Sequence, residues 1–149
     1  MNDSDCIPKL IKLASDLGSL QDAQHVAARK LFEFDKEIFP SDGCAITLSI
    51  LLQEAGIAVG DIFTALELGD LLKTERRWQA IAVGEQKAGD VGSTCGVKAA
   101  HGKDHIYLVI KAVNKDEMVI ADNQDTEPHF RNASGRGGKT PTKFFLRAS

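Results

Sequence analysis

The chain has 149 residues and a formal net charge of −3, with 43% hydrophobic and 26% charged side chains. This is an ordinary globular composition at single-domain size, enough to bury a sizeable core. It gives no global basic field for nucleic acid, no run approaching the ~20 apolar residues of a membrane helix and, in the acidic start Met1-Asn2-Asp3-Ser4-Asp5, no readable secretory signal. The expected protein stays in the cytoplasm or leaves by a leaderless route, with neither nucleic acid nor membrane as partner. Its oligomeric state is open.

Ile7, Leu10, Ile11, Ala14 and Leu17 fall at helical spacing and predict a helix over 7–18, capped by Gly18. Ala23, Val26, Ala27 and Leu31 predict a second over 19–34, opened by Ser19. Phe32, Phe34 and Phe39 read as core, and Pro40-Ser41-Asp42-Gly43 as a turn. The clearest helix spans 43–56. It is apolar on most sides, so it should be buried, and Gly56 closes it. A short helix is expected over 62–72. Trp78 reads as core, in a strand over 78–83.

Lys87-Ala88-Gly89-Asp90-Val91 reads as a turn leading into a strand, and 92–104 as a loop. A strong strand over 105–113, a turn at 114–117 and a returning strand over 118–121 form a hairpin. Residues 122–142 read as a long loop and 144–146 as a final edge strand. Helices first and an antiparallel sheet second define the α+β class. No repeat or linker divides residues 1–149, which read as one domain.

Three cysteines, Cys6, Cys44 and Cys95, do not make a disulfide scaffold. A Cys6–Cys95 pair and three free thiols both remain open. The chemistry lies in the placement of Cys44. A thiol attacks as thiolate, which a helix N-terminus and a neighbouring imidazolium favour. Cys44 follows Asp42-Gly43 at the first turn of its helix. Gly43 would allow close approach of substrate, and free amides of that turn would hold an oxyanion.

His105, at the start of its strand, is the candidate base. The hairpin returns Asp122-Asn123-Gln124 beside it. Asp122 is chosen to orient the imidazole, with Asn123 and Gln124 as alternatives or oxyanion donors. Each feature alone has an ordinary structural reading: a buried thiol, a strand-start histidine, a self-bonded turn. Their order in the chain supports the catalytic reading.

That order resembles the NlpC/P60 and CHAP superfamily: Cys44 at a helix start, then Lys87-Ala88-Gly89-Asp90-Val91, then His105-Ile106-Tyr107-Leu108-Val109-Ile110, then Asp122-Asn123. The resemblance covers about residues 42–125. It implies a papain-like fold with N-terminal helices on an antiparallel sheet. The implied activity is that of a cysteine amidase or endopeptidase on peptidoglycan stem peptides, with Cys44, His105 and Asp122 catalytic. A phage lysin or a wall-degrading effector would suit such an enzyme.

Ala45 stands where the family has Ser or a small polar residue, and Asp104 where it has Gly or another small residue. The third group is often His in NlpC/P60 members, and Asp122 looks more like the CHAP arrangement. These departures keep two alternatives: an inactive binding module on the same scaffold, and an acyl-transfer or deamidase toxin.

His101 lies in a loop with Cys95 and has no acidic partner, so no metal site and no cofactor are expected. Arg131, Arg136, Lys139, Lys143 and Arg147, with Gly135, Gly137 and Gly138 between them, read as a solvated basic tail. As a functional element it would meet substrate carboxylates. Pro128-His129 is assigned no chemistry.

Overall fold

The computed structural model describes residues 2–35, 43–97 and 104–149. Among these described residues four α-helices precede a sheet: α1 (Asp3–Ser15), α2 (Leu17–Asp35), α3 (Cys44–Glu54) and α4 (Ala65–Asp70), the last continued by a π-helical turn, Leu71–Glu75. Six strands follow: β1 (Gln79–Ile81), β2 (Val91–Ser93), β3 (Ile106–Ala112), β4 (Glu117–Ala121), β5 (His129–Asn132) and β6 (Phe144–Arg147). They form one sheet in the order β1-β6-β2-β3-β4-β5, and every neighbouring pair is antiparallel. The α+β class is as expected. Among the described residues no helix is long and apolar enough to cross a membrane.

α3 touches α1, α2, α4 and β3. Surrounded on all sides, it has no solvent face to make polar, and every residue from Cys44 to Leu52 is buried. Its apolar neighbours on the sheet are Val91, Ile106, Leu108, Ala121 and Leu146. Alternation along the strands sends Tyr107, Val109, Met118, Ile120 and Phe145 to the opposite face, where they form a second cluster. Trp78 is core as expected, and its indole N–H donates to Asp3 Oδ2 at 2.9 Å.

Several boundaries differ from the sequence reading. Gly18 does not end the first helix but lies inside α2. Asp16 sits between the two helices, and its carboxylate accepts the Ser19 N–H at 2.9 Å and the Ser19 hydroxyl at 2.7 Å. Asp16, rather than Ser19, therefore caps α2, because a carboxylate satisfies an orphan amide and favours the positive helix end. Residues 62–64 are not helical. Thr64 is extended and its hydroxyl accepts the Glu67 N–H at 3.2 Å, which sets the start of α4.

Gly92 and Ser93 belong to β2 rather than a loop, and β5 lies inside the expected loop over 122–142. β6 is not an edge strand; it pairs with both β1 and β2. The final strand can be placed between earlier ones only by long-range pairing, which local pattern does not encode. Phe32 and Phe34 are exposed rather than core, and the Phe34 ring stacks on Phe63 with centroids 4.3 Å apart. Phe39, the Pro40–Asp42 part of the expected turn and His101 lie outside the described residues.

Two glycines explain the turn and strand that frame the site. Gly89, at φ 93°, occupies the left-handed region in Lys87-Ala88-Gly89-Asp90. Asp90 is buried, accepts the Lys87 N–H at 2.8 Å, and receives Arg147 Nε and Nη2 at 2.9 and 2.8 Å. The turn is thus anchored by a bidentate ion pair. Gly92 lies opposite Tyr107 in the β2–β3 register, and a β-carbon there would overlap the Tyr107 ring. Gly92→Ala is expected to cost about 1–3 kcal/mol through displacement of Tyr107. A urea midpoint that falls with unchanged slope would match, and an unshifted midpoint would refute the packing account.

Candidate active site

Gly43 is the N-cap of α3, with φ −83° and no side-chain cap. The first helical bond runs from Thr47 N–H to Gly43 C=O at 3.0 Å, so the amides of Cys44, Ala45 and Ile46 precede the ladder. Cys44 therefore stands at the positive end of a buried helix, as expected. Its thiol faces the Asp104 carbonyl oxygen at 3.9 Å.

His105 directly precedes β3 and is held at both ends. Its N–H donates to the Thr94 hydroxyl at 2.8 Å, and its C=O accepts the Thr94 N–H at 3.0 Å. The Thr94 hydroxyl in turn donates to Asp104 Oδ1 at 3.4 Å, so the unusual Asp104 has a structural partner. The ring of His105 is tilted 30° against that of Tyr107, with centroids 5.9 Å apart. Cys44 is near enough to the ring to act on its protonation, and its influence raises the His105 pKa.

Asp122 directly follows β4, the strand between β3 and β5. Leu108 pairs with Ala121, and Ile120 with His129. This register brings His105 and His129 to Asp122 from its two flanking strands. Asp122 Oδ2 accepts His105 Nε2 at 2.8 Å. Asp122 Oδ1 accepts His129 Nε2 at 2.8 Å and the Gln124 N–H at 2.9 Å. The Asp122 side chain has no solvent exposure. From α2, the Gln24 side-chain amide donates to the carbonyls of Asp122 and Asp125 at 2.8 and 2.7 Å and holds the turn in place.

Cys44, His105 and Asp122 are thus brought together, and with Nε2 on Asp122 the free ring nitrogen of His105 for Cys44 is Nδ1. Gln124 contributes through its backbone, and its side chain is exposed. Asn123 is half-buried beside it. His129, set aside on sequence grounds, is the residue that reading missed. Local pattern held no signal for it: in His129-Phe130-Arg131 the apolar Phe130 is exposed and Arg131 is buried, the reverse of what hydropathy indicates.

The basic tail is not one patch. Arg131 is buried, with its guanidinium 5.2 Å from the Tyr107 ring centre and a bond to the Thr140 carbonyl at 2.6 Å. Arg147 belongs to the Asp90 pair.

All three cysteines are free. Burial pushes the Cys95 thiol up, and nearby Asp104 adds to the shift, so it is held protonated. A cavity of about 190 Å³ opens beside Cys95, lined also by Leu66, Asp70, Lys73, Ser93 and Phe144.

Burial alone would lower the His105 pKa, but the bond to Asp122 and the influence of Cys44 outweigh it and raise the group from 6.5 to about 9. Burial alone would raise Asp122, but the two imidazoles outweigh it and hold the carboxyl well below the usual range. His105 therefore stabilises the fold fully below pH 6.5 and loses that contribution as pH rises through 9. Asp122 contributes fully above its ordinary 3.8 and loses its share as pH falls below that. Urea unfolding should show greatest stability between these limits and a fall of roughly 3 kcal/mol towards the alkaline side. A flat profile above neutrality would contradict the linkage.

No family model, curated protein or solved structure matches the chain.

Proposed function

We propose that this chain is a cysteine amidase or endopeptidase of papain-like, NlpC/P60 or CHAP type, acting as one domain on an amide bond of bacterial peptidoglycan peptides. The observation that carries the reading is the buried array of Cys44, His105 and Asp122, gathered from a helix start, a strand start and a strand end.

The chemistry follows from the geometry. His105, its pKa raised to about 9, holds on Nδ1 the proton that Cys44 gives up, and the sulfur attacks the substrate carbonyl carbon. Amides of the first turn of α3 face the developing oxyanion. His105 then gives its proton to the leaving amine, and a thioester remains. Water attacks that thioester with His105 again as base, and the acid is released with Cys44 restored. Asp122 keeps Nε2 protonated and the ring in place throughout.

The cavity beside Cys95 is lined by Ser93 and Cys95, the two neighbours of the Thr94 that holds the His105 backbone. Its apolar wall and its Asp70 and Lys73 rim suit a short side chain with a charged end. Incubation with purified peptidoglycan should release fragments carrying one new free amine, located by mass spectrometry. Ammonia in place of a new amine on a peptide fragment would favour the deamidase alternative. No product of either kind, with Cys44 alkylated no faster than Cys6 or Cys95, would reduce the fold to a binding module.

A further inference from the structure

His129 is the part of the site that a Cys–His–Asp triad does not use. A triad carboxylate needs one imidazole. Here it has two, one on each oxygen, both at 2.8 Å. The two rings differ in setting: the His105 side chain is 9% exposed and that of His129 23%. The outer ring thus reaches solvent while its Nε2 touches a carboxylate with no exposure at all.

We infer that His129 is a positioning residue for the hydrolase proposed above: its Nε2–H bond to Asp122 Oδ1 fixes the carboxylate plane against His105, and its charge state sets how much of the Asp122 negative charge is left to His105. The inference rests on the hydrolase reading for its catalytic meaning, but the coupling exists whether or not the chain cleaves anything.

A carboxylate held on one side only can rotate about χ2, which is a soft torsion. With Gln124 N–H and His129 Nε2 both on Oδ1, Oδ2 stays aimed at His105. When His129 is neutral, the full charge of Asp122 supports an imidazolium at His105. When His129 is cationic, the two rings share one negative charge and His105 gives up its proton more readily. The charged groups around His129 are Asp122 at the end of β4, Asp125 in the following turn and Lys139 in the loop after β5. The two carboxylates raise its pKa and Lys139 lowers it, with Asp122 the largest influence. His129 therefore titrates above an ordinary imidazole.

The test uses the full chain and two variants. His129→Gln keeps a donor near the Nε2 position without charge, and His129→Leu removes both. The ring resonances of His105, followed by NMR against pH, should titrate in two steps in the wild type. They should titrate in one step at higher pH in His129→Gln. On peptidoglycan, His129→Gln should keep most of its kcat, whereas His129→Leu should lose about tenfold at unchanged KM, the scale on which an outer hydrogen-bond partner is felt.

A His105 titration that is the same in wild type and His129→Gln overturns the inference, as does full kcat in His129→Leu. If His129→Leu does not fold, the His129→Gln titration alone decides. Absence of any hydrolysis by the wild type counts against the hydrolase, whereas the NMR result still decides the coupling.

Discussion

On the proposed hydrolase function, Cys44→Ala is expected to abolish cleavage, by about 10⁴-fold or more, while the fold persists. No other thiol can replace it. Cys6 is buried in α1 and packs near Gly56, and the Cys95 thiol is held protonated by burial and by Asp104. The structural cost should be small, about 1 kcal/mol, because one buried sulfur is lost and no charge is left unpaired. Part of the upward pull on His105 comes from Cys44, so the alkaline loss of stability should also shrink in this variant. Product analysis by mass spectrometry and a thermal melt read the two effects separately. Undiminished cleavage by a folded Cys44→Ala protein would end the cysteine-hydrolase reading. If the alanine variant unfolds, Cys44→Ser tests the same point with a side chain of similar size.

Asp122→Asn should be nearly as damaging to activity and far more damaging to stability. The carboxylate accepts three hydrogen bonds, from His105, His129 and Gln124. An amide offers one acceptor oxygen, so its NH₂ must confront one of the imidazoles. Burial then acts on His105 with its main support gone, and its pKa should fall below the ordinary value. The ring also loses the partner that selects its tautomer. We expect kcat to fall about 10³- to 10⁴-fold, the scale seen when a triad carboxylate becomes an amide. Stability near pH 6 should drop by about 3 kcal/mol, as for breaking a buried charged pair. The decline between neutrality and pH 9 should flatten, because the linkage that produces it is gone. Wild-type activity with the alkaline decline intact would show that Asp122 does not orient His105.

Elements built on local pattern are the ones the sequence shows. α3 was legible because an apolar helix closed by glycine can only be a buried helix, and its first residue was therefore placed with it. The β3–β4 hairpin was legible because an apolar run and a tight turn are both local, and antiparallel pairing then brings Asp122 back towards His105. β5 was not legible. Its inward residues are His129 and Arg131, polar side chains whose burial depends on Asp122 and Tyr107, which lie on other strands. The place of β6 between β1 and β2 was hidden for the same reason, since strand order is a matter of pairing across the chain.

By itself the sequence determined the α+β class, the position of Cys44 at a helix start and the hairpin that joins His105 to Asp122. These follow from periodicity and turn chemistry over short stretches. Only the tertiary structure decided that Asp122 serves two imidazoles, that Thr94 clamps His105, and that two of the five basic tail residues are structural. Those facts arise from register between strands and from burial, where a polar group must find whatever partner the fold brings to it.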